Sequence, residues 1–200
     1  MVYYQVGGKT YARKAPSKQT KAQKQKVSEL KKMSQDKMAM TQRFLRPLTR
    51  IIAFGYQEQA EGARRPYHAA VSYTKAHCFV QEKKGFYIDP SLFKVSRGSL
   101  SPPDAAEAAK TEKGIELSWS DNSWISSARP SDCLFIVLYN PESGHAVWEF
   151  SGSTRDSRHH LLPLRPEQLA GQWHVYLAFS RDKPRSKTKI LSDSVYLGQF

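Results

Sequence analysis

Acidic residues are nearly missing from the first quarter of this 200-residue sequence, where only Glu29 and Asp36 occur up to Arg50. Cysteine is scarce too: Cys78 and Cys133 stand alone, neither in a CxxC or Cys/His spacing, which argues against a disulfide framework or a zinc knuckle. Both are read as buried free thiols, since free cysteine behaves as a small apolar side chain. No segment approaches the roughly 18 consecutive apolar residues of a membrane span. The opening MVYYQVGGKTYARK lacks the apolar run of a signal peptide, so the chain is expected to be cytoplasmic on synthesis.

Catalytic signatures are absent as well. There is no GxSxG, HExxH, P-loop or dinucleotide fingerprint, and Gly7-Gly8 is too short to cradle a phosphate. The histidines His68, His77, His145, His159, His160 and His174 form no ligand spacing with carboxylates. His159 and His160 are adjacent, and neighbours on a strand point to opposite faces, so they cannot share one metal there. The expectation is a protein with no enzymatic activity, no metal and no cofactor.

Positive charge fills the space the acids leave. The formal net charge is +13, and Lys9, Arg13, Lys14, Lys18, Lys21, Lys24, Lys26, Lys31, Lys32, Lys37, Arg43, Arg46 and Arg50 all precede residue 51. Set against two carboxylates, the arm carries +11 and the remaining three quarters only +2. Interleaved with Gln, Ser and Thr, such cations contact phosphates while carrying little sequence information, and they bind by counterion release. Lys9, Arg13, Lys14, Lys18, Lys21, Lys24, Lys26, Lys31, Lys32, Lys37 and Arg43 are therefore the candidate nucleic-acid-binding residues, for DNA or RNA. A solvated basic helix face would give the same composition.

The local patterns predict an α+β chain in three parts. Residues 1–19 form a basic arm: Val2, Tyr4 and Val6 alternate up to Gly7-Gly8, and Thr10 to Arg13 return as a second strand of a hairpin. Residues 20–100 are mainly helical with short strands. Thr20 and Gln23 sit as a capping box, and Val27, Leu30, Met33, Met40, Phe44, Leu48 and Ile51 recur at helical spacing. Pro47 should kink that helix or open a second one, Gly55 should stop it, a further short helix should open at Pro66, and Phe86 to Ile88 and Phe93 to Val95 read as strands.

Residues 101–200 are expected to form an antiparallel β-sandwich of immunoglobulin or fibronectin type III type, with Ser101-Pro102-Pro103 as the hinge. Seven strands are predicted, near 105–110, 115–119, 134–139, 146–150, 159–164, 173–179 and 194–198. Ile115, Leu117 and Trp119 alternate with polar residues, so one face is buried. The run from Cys133 to Tyr139 is apolar on both sides, as in a central strand. Trp119 suits the tryptophan of a second sandwich strand, Trp148 is expected in the core, and Trp124 is expected to be exposed.

Recurrent short motifs carry a resemblance that covers nearly the whole chain. They are Gly8 to Pro16, Gln42-Arg43-Phe44-Leu45, Pro47-Leu48, Gly55-Tyr56, Ser96 to Leu100, Ser118 to Ser123, Tyr139 to Glu142, Val175 to Phe179 and Ser194 to Gly198. On these the sequence resembles an uncharacterised bacterial family of about this length, a domain of unknown function. The resemblance implies the architecture above and no activity.

Function is thus expected to lie in binding or assembly. The first expectation is a structural subunit that forms a homo-oligomer or larger assembly, such as a virion or phage-like particle, through its arm and sandwich. The alternatives are a stand-alone, sequence-nonspecific nucleic-acid-binding protein, and a sandwich whose loops recognise carbohydrate or protein.

Overall fold

The computed structural model describes residues 1–15, 17, 28–83 and 85–200. The expected capping box at Thr20 and Gln23, the apolar Val27, and Lys18, Lys21, Lys24 and Lys26 lie outside the described residues. The chain opens with β1 (Val2–Val6) and β2 (Lys9–Arg13), paired as Val2↔Arg13, Tyr4↔Tyr11 and Val6↔Lys9. Gly7 and Gly8 close this hairpin at φ +57° and +77°, a pair of left-handed residues that a side chain would resist.

Helix α1 (Glu29–Leu45) starts at Ser28, whose hydroxyl accepts a hydrogen bond from the Lys31 amide. It ends ahead of Pro47, which has no N–H to continue the ladder, and the chain turns into α2 (Thr49–Gly55). A Cβ on Gly55 would collide with the Val95 carbonyl, so glycine is fixed here by close backbone approach. Helix α3 (Pro66–His77) opens on its proline, followed by β3 (Phe79–Glu82) and β4 (Gly85–Ile88). The expected strand at Phe93 to Val95 does not form. The chain makes a 3-10 turn at Pro90–Leu92, and Val95 donates its amide to the Ser194 hydroxyl instead of to a strand.

The remaining strands are β5 (Asp104–Thr111), β6 (Gly114–Ser120), β7 (Cys133–Asn140), β8 (His145–Thr154), β9 (His159–Pro163), β10 (His174–Asp182), β11 (Lys189–Leu191) and β12 (Val195–Gln199). A short helix, α4 (Pro166–Leu169), separates β9 from β10. One antiparallel sheet runs β11-β10-β7-β8, with β12 also paired to β10, and a second runs β5-β6-β9. All seven expected strands are present. The short β3 and β11 were not expected.

The larger sheet is the middle layer of three. On one face Leu134, Ile136 and Leu138 of β7, with Val175, Leu177 and Phe179 of β10, pack against Ile115, Leu117 and Trp119 of β6. On the other, Phe135, Val137 and Tyr139 of β7, with Tyr176 and Ala178 of β10, pack against Phe44, Leu45, Leu48, Ile51 and Ile52 of the helices. Each such fully buried side chain is worth about 1.5–3 kcal/mol. Tyr139 also donates its hydroxyl to the Phe44 carbonyl at 2.8 Å, which anchors α1 to β7. Residues 20–100 and 101–200 therefore share a core across the expected boundary.

The Ser101-Pro102-Pro103 segment is held rather than hinged. Arg155, fully buried, donates to the Ser101 carbonyl at 2.8 Å and the Pro102 carbonyl at 3.4 Å. Two side-chain placements also differ from expectation. Trp148 lies 37% exposed on β8 because that strand is the sheet edge, and Cys133 is only half-buried at the start of β7, whereas Cys78 is buried.

Candidate nucleic-acid interface

The hairpin carries the first candidate cations. Lys9, Arg13 and Lys14 are exposed, and the Arg13 guanidinium lies over the Tyr4 ring at 5.7 Å. Tyr4 and Tyr11 stack at 5.7 Å across the strands, so one face presents Val2, Tyr4, Val6 and Tyr11 with the two cations beside them.

Helix α1 carries the second group. Only Thr41, Phe44 and Leu45 of this helix are buried, so its N-terminal turns stand clear of the body. Lys31 and Lys32 are exposed there. Leu30 and Met33 are exposed too, at 74% and 38%, so the expected packing of the apolar stripe begins only further along the helix. Arg43, in the last turn where a cation favours the helix dipole, is exposed. Lys37 behaves differently: its ammonium faces the rings of Phe79 and Phe86 at 5.1 and 5.2 Å, a cation–π contact that turns it inward. Arg46 and Arg50, outside the candidate set, are exposed at the α1–α2 junction, and their presence in the same basic run was the signal for them. Among the described residues no carboxylate pairs with Lys31, Lys32, Arg43, Arg46 or Arg50.

Two polar clusters lie inside the β layers. The first centres on Arg155, whose Nε is 3.1 Å from the Asp132 carboxylate and whose guanidinium sits 4.0 Å over the Phe179 ring. Asn122 accepts a further hydrogen bond, and Arg181 reaches the other Asp132 oxygen at 3.3 Å. Burial, with the nearby Arg181 charge, holds the guanidinium's pKa below its ordinary value, and Asp132 beside it pushes back. This cluster ties the entry to β5, the start of β7 and the β8–β9 corner together.

The second cluster joins a nucleophile, a base and an acid. The Ser153 hydroxyl is 3.0 Å from His160 Nδ1, and Glu149 Oε2 is 3.4 Å from His160 Nε2. Glu149 and Ser153 come from β8, either side of its register shift, and His160 from β9, so linear sequence gave no spacing to find them by. Gly152 leaves the room: a Cβ there would lie 2.7 Å from Glu149 Oε1 and 3.2 Å from His160 Cε1. Acyl transfer would also need oxyanion donors and a cleft for the substrate. Clefts of about 390, 460 and 430 Å³ open elsewhere, the second between β8 and α4, and none is lined by Ser153 or His160. The cluster closes the side of the two-sheet packing where β8 and β9 approach. Among the described residues no group of three or more His, Cys, Asp or Glu side chains is arranged to hold a metal.

Residues 5–198 match the sequence profile of a family of unknown function, DUF6266. The chain belongs to that family. Transmembrane ascorbate ferrireductase 2 of Arabidopsis thaliana is 33% identical over 69 residues, which is 34% of this chain. The DUF6266 chain spans only 24% of that relative's length. Among the described residues of the DUF6266 chain no helix is long and apolar enough to cross a membrane. No solved structure matches it.

Proposed function

We propose that the protein is a non-enzymatic structural or assembly subunit that self-associates through its N-terminal hairpin and its β layers, in a homo-oligomer or a larger particle such as a virion. The observation that carries this reading is the hairpin itself. All of residues 1–15 are exposed except the half-buried Val6, so both faces of a two-stranded sheet meet solvent. Such a hairpin is marginal in water, and ordering about a dozen residues costs about 1–2 kcal/mol each in backbone entropy. Burial against a neighbouring subunit offsets that cost. The test is sedimentation velocity of the full chain over a hundredfold concentration range, against a variant starting at Lys14. Association that weakens on truncation is expected; a monomer at every concentration refutes the reading.

We further infer that β5-β6-β9 and β12-β10-β7-β8 are the two sheets of an immunoglobulin or fibronectin type III-like sandwich, the rigid part of the subunit. Supporting this is the strand order, which places the first, second and fifth of its seven main strands in one sheet and the seventh, sixth, third and fourth in the other.

A second reading, a stand-alone binder of DNA or RNA, draws on the unpaired exposed cations of α1 and α2. Its test is a shift assay with a random single-stranded and a duplex probe at two salt concentrations. Binding must weaken steeply with salt, and salt-independent binding or none at all removes it.

A further inference from the structure

Strand β8 is an edge of the middle sheet and runs for ten residues, His145–Thr154, without a lysine, arginine or proline. Those are the residues that usually keep an edge from pairing. Its far end, where the pairing with β7 shifts register, is closed by the contact of Ser153 with His160, which leaves His145 to Phe150 as the open stretch. The helix-side flank of that stretch is apolar, and the opposite flank is mixed. On the helix side Trp148 is exposed beside Phe150, with ring centroids 6.4 Å apart, and Phe150 stacks on Phe54 at 4.3 Å. On the opposite side a cleft of about 460 Å³ is lined by Val147, Trp173, Gln168 and Glu167 of the α4 region.

The hairpin has the complementary character. It is a sheet with two free edges, its mixed face is Val2, Tyr4, Val6 and Tyr11, and its charges are Lys9 and Arg13 with no acid among residues 1–15. The β8 side offers Glu142 in the preceding turn and Glu167 across the cleft, with no lysine or arginine between Asn140 and Thr154.

We propose that the β1–β2 hairpin of one copy adds to the open edge of β8 in a second copy, extending its middle sheet and covering Trp148. The inference rests on the assembly reading and names the surface through which it acts. Main-chain hydrogen bonds along the edge give the affinity, and the aromatic flank with the carboxylates sets which segment is accepted.

The experiment is amide hydrogen exchange on the full chain at dilute and concentrated protein, with the Trp148→Lys and Trp124→Lys variants sedimented in parallel. Trp124 is 71% exposed on the β6–β7 connection, so its substitution controls for a new surface charge. Segments 2–13 and 145–150 should gain protection together on concentration, by about tenfold or more. Trp148→Lys should return the protein to monomer with its circular dichroism unchanged, while Trp124→Lys should still associate. An oligomer in which β8 amides exchange as in the monomer overturns this inference and leaves the assembly reading standing. A full chain that never associates removes both. A hairpin protected by a single-stranded oligonucleotide in dilute protein, with β8 unchanged, assigns the hairpin to nucleic acid and also overturns it.

Discussion

Replacing Arg155 with alanine tests whether the two β layers are pinned by the buried ion cluster. The side chain is fully buried, and its loss strips a partner from Asp132, itself 0% exposed, and a donor from the Ser101 and Pro102 carbonyls and from Asn122. Asp132 would keep the Arg129 amide at 2.9 Å and Arg181 at 3.3 Å. Removing one member of a buried pair costs about 3–5 kcal/mol, because the remaining charge stays desolvated. In a protein of this size each kcal/mol moves the melting temperature by about 2–4 °C, so a fall of about 6–20 °C is expected by calorimetry. The exposed pair Arg158–Asp121 is the control, and Arg158→Ala should leave the melting temperature unchanged. Removing both charges, as Asp132→Leu with Arg155→Met, should recover most of the loss, since two apolar side chains leave no stranded charge. An Arg155→Ala melt within about 2 °C of the parent, or a double variant as unstable as the single one, would refute the reasoning.

Three further outcomes are expected. Gly55→Ala must displace the Val95 carbonyl, so its urea midpoint should fall by the equivalent of about 1–3 kcal/mol, and an unchanged midpoint would show that the approach is looser. Burial raises the Cys78 thiol and the Tyr139 phenol to about 12, so both stay protonated in the folded state where the unfolded chain has begun to lose those protons. Their contribution is whole below the unfolded values of about 8.5 and 10 and is lost as pH climbs toward 12, so urea midpoints should decline above about pH 9. A thiol reagent at pH 8 should meanwhile reach Cys78 only after denaturation. Finally, Ser153 should stay unmodified by a fluorophosphonate probe at neutral pH; stoichiometric labelling that disappears in His160→Ala would overturn the non-enzymatic reading.

Period and turn chemistry made most elements legible before any geometry. The alternation Ile115-Leu117-Trp119 and the two-sided apolar run at Cys133 to Tyr139 each correspond to an observed strand with the expected burial. What the sequence could not convey was which surfaces meet. Phe44, Leu48 and Ile51 announce a buried helix stripe but do not say that it lies on Phe135 and Val137. No spacing in the sequence marks Arg155, which is held by Asp132, Asn122 and two carbonyls distant in sequence. Phe93 and Val95 have strand composition, yet their backbone bonds go to side chains and turns. Of the candidate cations, Lys37 was indistinguishable from Lys31 and Lys32 until Phe79 and Phe86 were brought beside it.

The layering also narrows where any partner can bind. A two-sheet protein ordinarily keeps an outer sheet face free for ligands, but here the middle sheet spends one face on β6 and the other on α1 and α2. Its side chains are therefore committed to internal packing. Besides the outer face of β5-β6-β9, what stays available is the perimeter: the β8 edge with Trp148, the projecting turns of α1 with Leu30 and Met33, and the hairpin with Tyr3, Tyr4 and Tyr11. These are large apolar side chains at positions that the fold leaves uncovered, and a monomer gains nothing by holding them in water. Under the assembly proposed above, contact between copies would cover these apolar side chains and bring the hairpin's cations toward Glu142 and Glu167.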